Sequence, residues 1–274
     1  MHQKILSQVD VWSPEILALL IVSGFAVGVI NTLAGSGTAI NYWLFLWLGM
    51  PPSMANGTIR IGVITQTLAA SLHFYRTKIL HLKDSMFVAI PITIGSIAGA
   101  EVAININPDV FKNIIGVAML IMMFFMFYKP ENWIKSHDGS EIKNKWWHLF
   151  LYFAIGFYGG FIHIGVGIFL LAALVLASGY NLLYANSLKV FIVLIYTPFT
   201  LFVFIYNNDI HYLIGFISAV GNTLGGIVAS KYAIKHGVIF LRWFLAVVIV
   251  SFSGYLFGIY QIIFDYFEKI VGFF

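Results

Sequence analysis

With 274 residues, 60 % of them apolar and 9 % charged, a mean hydropathy of +0.91 and a formal charge of +4, the chain has too much apolar surface for a soluble core. It reads as an all-α polytopic membrane protein. The absence of cysteine excludes disulfides, thiolate metal sites and cysteine nucleophiles, and no cationic segment interleaved with aromatics marks a nucleic-acid surface.

Residues 1–13 form a polar lead in which Lys4 stands alone; no cleavable signal is expected, because the apolar run that follows outlasts a signal core. Ser13, Pro14 and Glu15 read as a helix cap and first turn. From residue 16 to residue 59 there is no Asp, Glu, Lys or Arg, yet Asn31, Thr32 and the run Ala34-Gly35-Ser36-Gly37-Thr38 interrupt the apolar stretch. A hydrocarbon layer about 30 Å thick takes roughly 20 helical residues, so residues 14–49 are too many for one straight crossing and too few for two. A break at 34–38 fits. Irregular backbone at that depth survives only where protein buries it or where it lines a polar cavity, and a helix starting after the break points its N–H groups and positive dipole end there. Close helix packing through Gly35 and Gly37 is the simpler alternative, but it leaves Asn31, Thr32 and Ser36 without a reason.

After a turn at Met50-Pro51-Pro52-Ser53, helices are expected over 53–74, 85–102 and 111–128, with Arg76, Lys78 and Lys83 in a wet loop between the first two. Residues 129–145 are the one hydrophilic linker. The second half repeats the first. From residue 146 to 188 the chain is again uncharged and ends at a cation, Lys189. Gly24-Phe25 matches Gly156-Phe157, Gly28 matches Gly160, Gly37 matches Gly167, Ala55-Asn56 matches Ala185-Asn186, and Gly95 with Gly99 matches Gly221 with Gly225. A second broken element over 147–179 and helices over 182–206, 211–232 and 239–259 follow. The organisation expected is a first membrane repeat (14–128), a cytoplasmic linker (129–145), a second membrane repeat (146–259) and a C-terminal tail (260–274).

Equivalent loops carry opposite charge. Arg76, Lys78 and Lys83 follow the second helix of the first half, whereas Asn207-Asn208-Asp209 at the same place in the second half lacks cations and Lys231 with Lys235 come one loop later. Since cations mark the cytoplasmic side, the two repeats of about four helical elements are expected to be inverted about a pseudo-twofold axis, the first element of each re-entrant. Counting each broken element as one crossing gives the competing parallel repeat. Inverted repeats with discontinuous helices near the midplane are the build of secondary transporters.

Three charges fall within or at the ends of apolar spans: Arg60, Glu101 and Lys189. A charge there costs at least a few kcal/mol. Arg60 lies four residues after Asn56, and Lys189 three after Asn186, so each cation shares a helix face with an amide. Beside two glycine-bearing breaks, two such cations describe an oxyanion site; snorkelling to the interface is the alternative. The expected binding residues are Asn31, Thr32, Gly35, Ser36, Gly37, Asn56, Thr58, Arg60, His163, Gly165, Gly167, Asn186 and Lys189. Glu101 and His163 are the candidates for proton coupling, against a wet helix end for Glu101 and a packed core histidine for His163. Neither metal nor cofactor is expected, and no HExxH, GxSxG or acidic pair on one helix suggests an enzyme.

GFAVGVINTLAGSGTAI, LGMPPSMANGTIR and GFYGGFIHIGVGIFLLAALVLASGYNLLYANSLK resemble the sulfite exporter TauE/SafE family, also called the toluene-sulfonate uptake permeases, over nearly the whole chain. The resemblance implies transport of sulfite, sulfonates and related sulfur-containing anions; spacing alone gives only an anion. The sequence departs from the family pattern at His163-Ile164-Gly165-Val166-Gly167, which is poorer in glycine, and at Ser36. The function expected is an inner-membrane, multi-pass secondary transporter, an exporter by lean, since an anion leaving a negative interior gains about 2.3 kcal/mol per charge at 100 mV. A proton- or sodium-coupled uptake permease and an anion channel are the alternatives. The partners expected are a small anionic solute and the lipid bilayer, with no nucleic acid; self-association is left open.

Overall fold

The computed structural model describes residues 11–80, 82–107, 110–111, 114 and 146–256, the side chains of 82–84 and 237–256 excepted. Among them every regular element is helical: α1 (Pro14–Leu33), α2 (Thr38–Trp47), α3 (Pro52–Arg76), α4 (Leu82–Asn105), α5 (Trp146–Phe161), α6 (Val166–Ala172), α7 (Leu182–Tyr206) and α8 (Tyr212–Leu256). A π-helical turn, Ala173–Ala177, extends α6. The starts follow from capping chemistry. Ser13 accepts from the Ile16 amide with Pro14 at the first helical position, and Asn181 accepts from that of Tyr184.

Four stretches are long and apolar enough to cross a bilayer: Pro14–Leu33, Ser85–Asn105, Leu182–Tyr206 and Tyr212–His236. α3 is not among them. Asn56, Thr58, Arg60 and Gln66 make it polar, yet all four are fully buried, because α3 runs between α1, α2, α7 and α8. Polar groups inside a membrane protein face the bundle interior, and here the least apolar long helix is the most enclosed one.

Glycines bring the outer helices together. α1 lies on α8 through Gly24 and Gly28, and α4 lies on α5 through Gly95 and Gly99; a Cβ at any of the four would stand 2.0–2.3 Å from a backbone oxygen of the facing helix. Van der Waals contact at such short range replaces the hydrophobic drive that lipid cannot supply. The sequence of contacts also sets direction. Gly24 meets Ser218 and Gly28 meets Gly225, Gly57 meets Asp209 and Gly226 meets Gln66, so α1, α3 and α8 run the same way. Gly57 against Phe204 and Arg60 against Thr200 set α7 antiparallel to α3. His73, near the end of α3, lies within the electrostatic reach of both Arg76 and Lys231.

Two expectations change. The helices expected over 211–232 and 239–259 are one continuous helix, α8, so Lys231 and Lys235 stand on exposed helical turns and not in a loop. The residues between them hold no proline, and the lone Gly237 disfavours a helix by only about 1 kcal/mol. α4 extends past its expected 85–102 limits at both ends. Most of the helix expected over 111–128, the linker 129–145 and the tail 260–274 lie outside the described residues.

Candidate anion site at two helix breaks

α1 ends at Leu33, where the amides of Ala34 and Gly35 both donate to the Ile30 carbonyl, at 2.7 and 3.2 Å. Gly35 then turns the chain at φ +86° and α2 begins after Gly37. α5 ends at Phe161. His163 at φ +65° and Gly165 at φ +71° redirect the chain into α6. A left-handed histidine is a strained choice that only surrounding structure can hold. By its place ahead of the new helix Gly37 corresponds to Gly165. Gly167, its expected match, instead abuts Gly35, and a Cβ on either would lie 2.5 Å from the Cα of the other. The two breaks therefore touch backbone to backbone.

Each buried cation reaches across to the interrupted helix of the other half. Lys189 Nζ donates to the carbonyls of Asn31 (3.3 Å) and Thr32 (3.1 Å) at the end of α1, and to Asn186 Oδ1 (2.8 Å). Arg60 donates to the carbonyls of Gly159 (3.3 Å) and Gly160 (2.5 Å) at the end of α5, to Asn56 Oδ1 (3.3 Å) and to Thr200 Oγ1 (2.8 Å). The Arg60 guanidinium also stands 4.9 Å over the Phe204 ring, and Asn56 Nδ2 donates to the Phe161 carbonyl at 2.8 Å. A helix C-terminus leaves carbonyls unpaired and carries partial negative charge; the cations satisfy both. This is the main correction to the sequence reading, which put the cations beside helix N-termini with their donors open to a solute. Snorkelling is overturned as well, since Arg60 is 0 % and Lys189 1 % exposed.

Among the described residues neither Arg60 nor Lys189 has a carboxylate partner within ion-pair distance, so no acidic side chain there balances them. A small cavity collects there, lined by Asn31, Gly35, Gln66, His163, Gly167 and Lys189 together with Thr67 and three valines. Its interior is about the size of one water molecule. His163 Nδ1 lies 3.2 Å from the Tyr196 hydroxyl.

Of the thirteen expected binding residues, five line this cavity: Asn31, Gly35, His163, Gly167 and Lys189. Thr32, Asn56, Arg60 and Asn186 stand behind them in the hydrogen bonds that hold the cations and the ends of the broken helices, and Gly37 and Gly165 set the starts of α2 and α6. Ser36 is buried within the first break without lining the cavity. Thr58 is elsewhere, accepting from the His211 amide at 2.9 Å. Glu101 is not brought in; it is exposed near the C-terminal end of α4, as expected of a wet helix end. The sequence reading missed Gln66, which bridges Asn31 Nδ2 and Thr32 Oγ1 at 3.5 and 3.2 Å, and Tyr196. For Gln66 there was a signal, a single glutamine inside an otherwise apolar helix face.

Long apolar helices wrapped around a buried cationic centre define a polytopic membrane protein. The sulfite exporter TauE/SafE family profile matches residues 20–256, and the chain belongs to that family of membrane transporters. It is similar to a probable membrane transporter protein of Haemophilus influenzae, 28 % identical with 87 % of this chain and 92 % of that one covered. It also resembles the ORF9 probable membrane transporter protein of Sinorhizobium sp (26 %; 87 % and 91 % covered) and YfcA of Escherichia coli K12, a probable membrane transporter protein (24 %; 88 % and 90 % covered). No solved structure matches the chain significantly.

Proposed function

We propose that this chain is an inner-membrane secondary transporter that exports a small sulfur-containing anion, such as sulfite or an organosulfonate, by alternating access at the two touching breaks. The observation that carries the reading is the pair of buried cations, each bonded to the end of the interrupted helix of the opposite half and, among the described residues, without a carboxylate partner. An anion entering between the breaks completes the charge balance that the protein leaves open. Lys189 and His163 line its place, with Gln66 and Asn31 as amide donors. The cavity is too small for a sulfonate in this conformation, so loading requires the halves to separate, as alternating access demands.

The parallel course of α1 and α3 supports a re-entrant first element, because α2 must return the chain to the side where α1 began. The nearness of Lys231, on an exposed turn of α8, to the α3 end that bears Arg76 supports an inverted repeat: cations at unequal places in the two halves share one side. Proteoliposome flux of sulfite, sulfate, thiosulfate and small sulfonates, with and without a pH gradient, tests the function. Saturable flux with counter-exchange is expected; non-saturating flux would indicate a channel, and flux that requires a proton or sodium gradient an uptake permease. Lys83→Cys and Lys235→Cys should both label only from the cytoplasmic face, and labelling from opposite faces contradicts inversion.

A further inference from the structure

Outside the cavity, one buried cluster has hydrogen-bonding capacity that the fold does not use. Asn222 on α8 is 1 % exposed, and among the described residues neither its Nδ2 nor its Oδ1 has a partner. The conclusion is the same whichever way the amide is assigned. One turn earlier, Ser218 Oγ accepts from Asn41 Nδ2 of α2 at 2.8 Å, while Asn41 Oδ1 is left unpaired. Room for the Asn222 amide comes from Gly62 of α3, where a Cβ would fall 1.8 Å from Nδ2. One turn later, Gly226 abuts Gln66, which lines the cavity. Asn222 thus stands one turn along α8 from the cavity wall, about 15 Å into the helix at 1.5 Å per residue.

The positions that match Gly62 and Asn222 in the opposite halves provide an internal control. Counted from Asn186 as Gly62 is counted from Asn56, the equivalent position is Ile192, fully buried and apolar. Ser96, which follows Gly95 as Asn222 follows Gly221, has its hydroxyl bonded to the Thr93 carbonyl at 2.8 Å. Helix packing alone therefore needs neither the glycine nor an unpaired amide. A buried polar group left without a partner is expensive and calls for an account, such as a water, ion or solute that the site takes up.

We propose that Asn222, with Ser218 and Asn41 beside it, forms a second and uncharged station for the oxygens of the transported anion, on the α3–α8 side of the first break, reached when α8 draws away from Gly62. This rests on the anion-transport reading and adds to it the path the solute takes. The Asn222 amide donates to a sulfonate or sulfite oxygen without a fixed charge, so the solute passes from Lys189 without being held.

Because the native chain has no cysteine, Asn222→Cys in the full-length protein reports directly on water access. In sealed right-side-out and inside-out vesicles, a membrane-impermeant anionic methanethiosulfonate should modify N222C from one face only. Ethanesulfonate should slow that modification at least tenfold, and Ser96→Cys should stay unmodified from both faces. If N222C is lost from the membrane, Ser218→Cys carries the same test. Asn222→Leu should insert with an unchanged or higher Tm and lose at least tenfold in flux. The proposal is overturned if N222C is inert from both faces, or if N222L transports as wild type does. Labelling of N222C from one face without any sulfonate flux by wild type would keep the station and reject the solute class.

Discussion

At the first break the chain leaves α1 through Gly35 and enters α2 with Thr38, Asn41 and Tyr42 on its buried side, and each of the three has a side-chain oxygen unpaired among the described residues. At the second break His163 holds the place of Gly35, and the same offsets into α6 bring Val166, Phe169 and Leu170. The cations differ in the same sense. Lys189, at the end of α1, uses its three N–H groups on Asn31, Thr32 and Asn186 and lines the cavity. Arg60, at the end of α5, is fixed by acceptors on three helices and by the Phe204 ring, and it does not line the cavity. One plan of a broken helix capped by a cation from the other half thus yields a fixed side and a polar side. On the proposed reading, the polar side is the one that offers an anion the Lys189 charge together with the Asn31 and Gln66 amides.

Substitution of the two cations should separate these roles most strongly. Arg60→Ala leaves buried carbonyls and Asn56 without a donor, at roughly 1–3 kcal/mol for each group. The expected outcome is a large fall in Tm in detergent or loss from the membrane. Lys189→Ala should lower Tm less and abolish flux; equal Tm losses from the two variants would erase the distinction between the sides. Next in size is the contact between the breaks. Gly35→Ala and Gly167→Ala each place a methyl 2.5 Å from facing backbone, an overpacking that costs typically 1–3 kcal/mol, and Gly35 adds its left-handed φ. Thermal unfolding should rank Gly35→Ala as the worse of the two.

His163 gives a smaller and sharper contrast. His163→Gly and His163→Ala both lose the Tyr196 hydrogen bond, but only glycine relaxes the φ of +65°. His163→Gly should therefore be the more stable of the pair by about 1 kcal/mol. The smallest effect belongs to Asp209, in the turn before α8, whose carboxyl is pushed up by burial and drawn back in part by the Ser53 hydroxyl. A folded-state pKa above the unfolded value means that ionisation opposes folding, an effect present at neutral pH and gone once pH falls below the unfolded value. Asp209→Asn should raise Tm slightly at pH 7, and the gain should vanish on acidification.

Both breaks were legible in the sequence, because glycine and polar residues inside uncharged runs have no other economical place in a bilayer. The shared faces of Arg60 with Asn56 and of Lys189 with Asn186 were legible from helical spacing alone. What the cations bind was not, since Gly159 and Asn31 are brought to them by tertiary packing across the halves and backbone carbonyls leave no mark in a sequence. Gln66 was visible as an amide on an otherwise apolar face of α3, and Asn222 as an amide in the apolar α8, but their significance depends on Gly226 and Gly62 standing opposite. The continuity of α8 was missed because Lys231 and Lys235 suggested a loop, where exposure of one helical face accommodates them.

The most direct test of the anion site compares wild type with Lys189→Gln in proteoliposomes under an applied membrane potential, with isotope-labelled sulfite or a small sulfonate inside. Saturable efflux is expected from wild type, and background leak from a Lys189→Gln protein that inserts and melts normally. Equal efflux from the two would contradict the anion site.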